Sequence, residues 1–393
     1  MHDRRTKAFF FLLEGLNTLA CSYYGNYLFF LLRDAYGFGN LQNLSVCAGH
    51  GLIYAVGSWQ AGRFAQRFGY FTALQTGFGA MAACLIAGAC LPSLPAQLAV
   101  LAGWTIGMCF TWPALEALVS EGESDEDLTE IIGRYNFVWS AGAALTYFCG
   151  GAIFDHLGRQ SLYWLPVGIL TVEALVLAGL SRRVGSSVPP RALAHAGHAP
   201  EPAALDQPVS PKTFLRMAWL ANPFAYMGIN TLLAVIPGLA RELHLSVTLS
   251  GLFCSLWFFA RLGTFTLLWR WTGWHYRFHW LLTAFLGLIG SLATLLLVRD
   301  FWVLVGAQLV FGVSVGLIYY SSLFYSMDVG ETKGEHGGVH EAMIGAGIFV
   351  GPALGALALR LAPQSPHAGA YAVTGLLTLG LAGLVALRLR RGP

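Results

Sequence analysis

Apolar residues occur along this chain in nearly continuous stretches of about 20 residues, separated by short polar connections. A helical stretch of that length crosses a hydrocarbon core of ~30 Å. The stretches do not alternate residue by residue, as the strands of a membrane β-barrel would. We therefore predict an all-α integral membrane protein with twelve transmembrane helices, at roughly 8–32, 43–61, 71–91, 95–119, 131–154, 160–180, 213–240, 246–269, 278–298, 301–326, 337–360 and 367–388.

Residues 181–212 interrupt this pattern and divide the predicted helices into two sets of six. The segment is rich in Pro, Ala and His and has no apolar period, which is typical of a mobile linker. We therefore predict an N-terminal six-helix bundle at 1–180, a cytoplasmic linker at 181–212 and a C-terminal six-helix bundle at 213–393.

The composition indicates a membrane protein, since 56% of the 393 residues are hydrophobic and only 11% are charged. Soluble domains carry about 25% charged residues. The net charge of +3 gives no reason to expect a nucleic-acid partner, and the seven cysteines lie in or beside apolar stretches, where we interpret them as packing residues. The start MHDRRTK resembles a signal peptide, but the apolar stretch after it is long and lacks a clear cleavage site. We interpret it as a retained first helix.

Lys and Arg are distributed unevenly among the connections. Seventeen of the 23 fall in segments that are cytoplasmic if the amino terminus is cytoplasmic, and five fall in the opposite set. Cytoplasmic loops of membrane proteins carry an excess of these residues. We therefore predict a multi-pass protein of the plasma membrane (the bacterial inner membrane), with both termini in the cytoplasm.

Two short motifs recur in corresponding spans of the two halves. GLNTL at 15–19 returns as GINTL at 228–232, and the glycines of span 5 align with those of span 11 when the chain is shifted by 205 residues. Parallel repeats with a solute site at their interface are typical of transporters. Within span 11, Gly347, Gly351 and Gly355 share one helix face, which predicts close packing between the halves.

The loop after span 2, GRFAQRFGY at 62–70, resembles the signature G-x-x-x-D-R-x-G-R/K of the major facilitator superfamily. It matches at Gly62, Arg67 and Gly69 and departs at Gln66 and Tyr70. GIFVGPALGA at 347–356 is similar to an antiporter motif of the same family. The resemblance implies two six-helix bundles, a cavity lined by spans 1, 4, 7 and 10, and a loop that holds a cytoplasmic gate closed.

Ionisable residues inside spans cost a few kcal/mol and need a partner, an aqueous cavity or a function. Glu14 either reaches interfacial water or faces the cavity and binds a substrate or coupling proton. Arg261 is either the counter-charge of a buried acid or a ligand for an anionic solute. Glu173 is interpreted as a snorkelling or packing-paired acid.

These considerations predict two sets of functional residues. We expect Arg134, Asn136 and Glu341 to form one polar network at the cytoplasmic gate. Substrate or proton binding is assigned to Glu14, Asn17, Tyr24, Trp104, Asn230, Arg261, Tyr319 and Tyr320, and gating to Gly62, Arg67, Gly69, Glu116, Arg134, Asn136, His340 and Glu341.

His336 and His340 have the i, i+4 spacing that can hold zinc. No third ligand is evident in the sequence, so a hydrated helix start is the favoured interpretation and metal binding the alternative. We predict no catalytic residues and no cofactor.

The leading hypothesis is a secondary transporter that moves a small organic solute by alternating access, with protonation of Glu14 as its coupling event. The alternative is a transporter-derived sensor or scaffold that binds a ligand without moving it. A membrane-embedded enzyme is disfavoured, because the sequence shows no nucleotide loop, metal set or catalytic triad. The expected partners are a small-molecule solute, protons and the lipid bilayer, and we expect a monomer.

Overall fold

The computed structural model describes residues 4–120, 125–184, 210–329 and 333–389. All regular structure within these ranges is α-helical. The helices are α1 (Arg4–Tyr36), α2 (Asn40–Phe68), α3 (Tyr70–Cys90), α4 (Leu94–Cys109), α5 (Trp112–Ser120), α6 (Asp125–Leu157), α7 (Ser161–Val184), α8 (Pro211–Glu242), α9 (Val247–Arg270), α10 (Phe278–Leu297), α11 (Phe301–Val329), α12 (Lys333–Leu361) and α13 (Ala368–Leu389).

Most of the predicted linker at 181–212 lies outside the described residues. Within it, α7 continues to Val184, and Ser210 caps the start of α8 by accepting a hydrogen bond of 3.4 Å from the Thr213 amide. Below, α1 to α7 are called the N-terminal helices and α8 to α13 the C-terminal helices.

The predicted span 95–119 is a broken helix, which corrects the expectation of one continuous element. The Phe110 amide bonds to the Gly107 carbonyl at 3.1 Å and the Thr111 amide to the Met108 carbonyl at 3.0 Å. These tighter turns occur where Pro113 follows, because proline has no N–H to continue the α-helical ladder and its ring collides with the preceding turn.

By length and composition, ten stretches of the described chain can cross a membrane: α3, α4 with α5 taken together, and α6 to α13. With 33 and 29 residues, α1 and α2 are long enough but less apolar. The lower hydropathy of α1 is due in part to its polar residues Glu14, Asn17, Thr18 and Asn26. All four of these side chains are buried inside the protein.

The N-terminal and C-terminal helices pack together through α2 with α12 and through α6 with α9. Glycines permit this close approach. A Cβ atom on Gly51 would lie 2.3 Å from the Phe349 amide nitrogen, and one on Gly345 would lie 2.5 Å from Ala55 Cα. The α6–α9 contact includes Gly151, where a Cβ would lie 2.4 Å from the Val247 carbonyl oxygen.

The glycine face predicted on span 11 packs between the two sets of helices only at one of its three glycines. Added Cβ atoms on Gly347 and Gly351 would meet Pro223 and Met227 of α8, at 2.4 and 2.7 Å. Gly347 and Gly351 therefore pack within the C-terminal helices. Gly355 does face the other set, since its added Cβ would lie 3.4 Å from Leu44 Cδ1 of α2. The closest approach to α2 is made by the neighbouring face of α12, which carries Gly345.

Candidate functional site

A cavity of about 230 Å³ lies between the N-terminal and C-terminal helices. Both sets contribute to its wall, and most of the wall is aromatic or aliphatic. Its aromatic members include Trp104, Trp112, Trp139, Tyr226, Trp257 and Tyr319, and its polar members include Asn26, His50, Asn230, Arg261 and Glu341.

Arg261 of α9 is buried, with 3% of its surface exposed, and its guanidinium lies among aromatic rings. Its Cζ atom is 4.5 Å from the ring centroid of Trp139 and 5.1 Å from that of Tyr319. Within the described part of the chain, Nε and Nη2 are buried without a hydrogen-bond partner, and no carboxylate lies within 4.0 Å of the guanidinium. The rings stabilise the cation through their π faces, but these N–H groups still lack acceptors.

Three buried carboxyl groups, Glu14, Glu116 and Glu341, lie close enough to interact electrostatically. Only Glu341 lines the cavity, where Tyr54 donates a hydrogen bond of 2.5 Å to its Oε2 atom. No Lys or Arg in the described part of the chain forms an ion pair with any of the three. The cavity thus has a cation on α9 and an acid on α12 that do not pair with each other.

Glu14 occupies neither of the two environments expected for it. Its side chain is fully buried, so it does not reach interfacial water, and it stands one turn behind the cavity wall. Thr18, which does line the cavity, donates a long hydrogen bond of 3.5 Å to Glu14 Oε1, while Oε2 has no partner. Glu173 is equally buried, and neither of its oxygens has a hydrogen-bond partner among the described residues, which contradicts both the snorkelling and the paired interpretation.

Four of the eight residues assigned to substrate or proton binding line the cavity. These are Trp104, Asn230, Arg261 and Tyr319. The other four, Glu14, Asn17, Tyr24 and Tyr320, pack behind the wall.

The residues behind the wall support it. Asn17 donates a hydrogen bond of 3.3 Å to Thr111 at the α4–α5 break, and the Tyr24 ring packs 4.8 Å from that of Trp104. Tyr320 packs against Phe265, with 5.8 Å between ring centroids. These side chains position the cavity residues without facing the cavity themselves.

Of the residues assigned to the loop after span 2, only Gly69 lies in a turn, because α2 continues to Phe68 and α3 begins at Tyr70. Gly69 has a φ angle of +91°, a conformation that L side chains rarely adopt, so glycine is required there. Gly62 lies in the last two turns of α2, and the Arg67 guanidinium lies 5.2 Å from the ring centroid of Phe68.

The expected network of Arg134, Asn136 and Glu341 is not formed. Arg134 pairs with Glu130 at 2.9 Å on the surface, and Asn136 accepts a hydrogen bond of 3.0 Å from Trp139 on its own helix. Glu341 instead bonds to Tyr54. The helices that carry these residues have different neighbours, since α6 packs on α9 and α12 packs on α2.

The remaining gating candidates lie near the cavity. Glu116 is buried on α5. His340 is buried with its ring 5.7 Å from that of Tyr319, and its Nε2 atom has no partner. The His336 side chain lies outside the described residues, and no cluster of three or more metal-ligating side chains is found within them.

Sequence reasoning missed several polar cavity residues, among them Asn26, His50 and Tyr54. His50 lies on α2, and its Nδ1 atom is 2.8 Å from Thr105 Oγ1. The signal that could have found them is the reduced apolarity of the first two helices, since a polar face on a buried helix must be turned toward protein or water.

Comparisons with known proteins agree with this architecture. A sequence profile of the Major Facilitator Superfamily matches residues 10–222. Among solved structures, the human organic anion transporter MFSD10 (TETRAN) superimposes with a TM-score of 0.70 at 15% sequence identity, covering 98% of this chain and 99% of that one. Comparison with curated proteins finds no significant match.

Proposed function

The chain belongs to the Major Facilitator Superfamily, and we propose that it transports a small organic anion by alternating access between its N-terminal and C-terminal helices. The superfamily consists of transporters, which supports transport in general. The finer parts of the proposal rest on the cavity and on the residues that line it.

The proposed architecture has twelve membrane-crossing helices. It adds α1 and α2 to the ten more apolar stretches and counts α4 with α5 as one span. Two bundles, 1–180 and 213–393, are joined by the linker 181–212. The distribution of Lys and Arg supports cytoplasmic termini in a bacterial inner membrane.

Arg261 is the observation that carries the choice of an anion. A buried cation without a counter-ion is costly in a membrane, and aromatic faces do not satisfy its N–H donors. A carboxylate entering the cavity would neutralise the charge of the guanidinium through a charge-assisted contact. The human structure described as an organic anion transporter shares only the fold at this identity, so the argument depends on Arg261 itself.

The size and wall of the cavity restrict the solute further. At about 230 Å³ it lies below the ~300–1,000 Å³ of pockets that hold drug-sized ligands. Its aromatic wall suits a flat, apolar body, since aromatic rings pair in offset or edge-to-face arrangements. A solute of one ring with an acidic group fits both constraints.

The buried acids favour proton coupling. Glu341 faces the cavity, and Glu14 and Glu116 lie close behind it without a cationic partner in the described structure. Like charges in one poorly hydrated site disfavour simultaneous ionisation. We therefore propose that this group of carboxyls holds a proton that accompanies the anion.

Counterflow in proteoliposomes tests the anion proposal with probes of similar size: benzoate, benzylamine and benzyl alcohol. We expect exchange of benzoate alone. Loss of charge-assisted hydrogen bonds in Arg261→Gln is expected to weaken benzoate exchange by roughly 10–100-fold. Arg270→Gln, which removes a cation at the end of the same helix, is the matched control and should retain exchange. Equal exchange of all three probes, unaffected by Arg261→Gln, would overturn the anion proposal.

One observation favours the alternative of a ligand-binding sensor. The turn between α2 and α3 has Gln66 where the family signature has an acid. The same counterflow assay separates the two functions, because a sensor binds benzoate without exchanging it.

A further inference from the structure

His50 stands in the same cavity as Arg261 but on a helix of the other set. Its ring is stacked on Trp104, with 6.1 Å between centroids and 30° between planes. Both rings line the cavity. Arg261 comes from α9 and His50 from α2, so the two polar groups belong to the C-terminal and N-terminal helices respectively.

The hydrogen bonds around Thr105 determine which nitrogen of His50 carries the proton. Thr105 Oγ1 has a single hydrogen, and it donates that hydrogen to the Leu101 carbonyl at 2.7 Å, one turn earlier on α4. Toward His50, Thr105 Oγ1 is therefore an acceptor, and His50 Nδ1 must be the donor across their 2.8 Å contact. A neutral imidazole protonated on Nδ1 has an unprotonated Nε2 that accepts hydrogen bonds.

The Nε2 atom of His50 has no hydrogen-bond partner among the described residues, and it is not enclosed by them. The cavity wall therefore carries one unused acceptor on His50, opposite the cation of Arg261 on the other set of helices. The rest of the wall is mostly aromatic or aliphatic.

We propose that His50 Nε2 is the second anchor of the transported solute and accepts a hydrogen bond from a hydroxyl group remote from the carboxylate. The solute class is then a small hydroxylated aryl carboxylate. This inference rests on the proposed anion transport and adds a requirement to it: both ends of the solute must be satisfied. A solute held this way connects α2 with α9, so its recognition is complete only when the two sets of helices are close.

Binding to the purified full-length protein tests this inference with matched pairs of aryl carboxylates. The pairs are 4-hydroxybenzoate with benzoate, 4-hydroxyphenylacetate with phenylacetate, and 3-(4-hydroxyphenyl)propionate with 3-phenylpropionate. The three chain lengths cover different spacings between the two polar ends. Isothermal titration calorimetry should give a Kd roughly 3–10-fold lower for the hydroxylated member of at least one pair. The corresponding methoxy compound, which cannot donate, should show no gain.

Two variants assign this selectivity to His50. His50→Phe keeps a ring against Trp104 and removes the acceptor, so the Kd ratio within the selective pair should fall to about 1, since no hydrogen bond then distinguishes its members. Thr105→Val removes the hydroxyl that accepts the Nδ1–H of His50 and so fixes its tautomer. This variant should therefore reduce the Kd ratio within the selective pair. His367→Phe, between α12 and α13, is the control and should keep the wild-type ratio. If His50→Phe does not fold, His50→Gln provides the second measurement, with an intermediate ratio expected.

The outcomes distinguish this inference from the anion proposal. If every pair binds with equal affinity and binding still depends on Arg261, the role of His50 is wrong and the anion proposal stands. A selectivity that survives in His50→Phe also overturns it. If no aryl carboxylate binds to the wild type, both proposals fail together.

Discussion

Tyr54 on α2 donates a hydrogen bond of 2.5 Å to Oε2 of Glu341 on α12. Both side chains are buried, both line the cavity, and the bond joins an N-terminal helix to a C-terminal helix. A movement that separates α2 from α12 at this depth must break the bond.

Tyr54→Phe removes this bond and leaves the ring in place. We expect the free energy of unfolding in detergent to fall by about 1–2 kcal/mol, and benzoate counterflow to slow because Glu341 loses its fixed orientation. Tyr36→Phe is the control, since the Tyr36 hydroxyl donates a bond of 2.6 Å to the Pro92 carbonyl within the N-terminal helices. If Tyr36→Phe lost as much stability as Tyr54→Phe and slowed counterflow to the same extent, the Tyr54 bond would have no special part in transport.

Gly51→Ala should separate α2 from α12. The new methyl group would lie 2.3 Å from the backbone nitrogen of Phe349, and backbone cannot yield as a side-chain end can. We expect a loss of about 1–3 kcal/mol in unfolding free energy, measured by thermal denaturation in detergent.

Gly49→Ala is the matched control on the same helix, because nothing lies within 4 Å of its added Cβ. There the higher helix propensity of alanine should stabilise by up to about 1 kcal/mol. Similar melting of the two variants would contradict the tight α2–α12 contact.

Glu14→Gln preserves the shape of the side chain and removes its titratable proton. If Glu14 shares the coupling proton with Glu341, uptake of benzoate measured over a range of external pH should become flatter than in the wild type. Glu242→Gln, in the exposed pair with Arg299, is the control and should retain the wild-type profile. An unchanged profile in Glu14→Gln would exclude this residue from coupling.

His275, in the connection between α9 and α10, predicts a pH dependence of stability. Burial lowers its pKa below the ordinary value of 6.5, and Asp328 opposes that shift. The unfolded chain therefore binds this proton more tightly than the folded protein. The stabilising contribution is complete above about pH 6.5 and declines as the pH falls toward the folded-state pKa.

His275→Phe should reduce this acid-side decline in apparent Tm, since the His275 ring is stacked 4.1 Å from Phe324 and phenylalanine can replace that contact. An identical slope of Tm against pH in the variant would show that other groups cause the decline.

The helical architecture was largely predictable, because continuous apolar stretches of membrane length allow few alternatives. The break between α4 and α5 was not predicted, although Pro113 was visible in the sequence. A proline can also lie within a continuous helix, as Pro223 and Pro352 do in α8 and α12. Which outcome occurs depends on neighbours that the local sequence does not reveal.

The cavity was predicted only in part, for a geometric reason. Periodicity shows which residues of a helix share a face, but not which face is turned toward the cavity. Tyr319 and Tyr320 are adjacent and equally aromatic, yet they project about 100° apart and only Tyr319 lines the cavity. Arg261 could be singled out because a lone cation in an apolar span is rare, whereas His50 offered no comparable contrast.

The polar character of α1 has a consequence for how the protein enters the membrane. A segment with Glu14, Asn17 and Asn26 gains little free energy from lipid, since insertion scales penalise each such group at the helix centre. The burial of these side chains against other helices offsets that cost only after those helices have been synthesised. In the proposed twelve-helix architecture, stable residence of α1 in the bilayer is therefore a property of the assembled protein, and its insertion depends on helices that are synthesised after it.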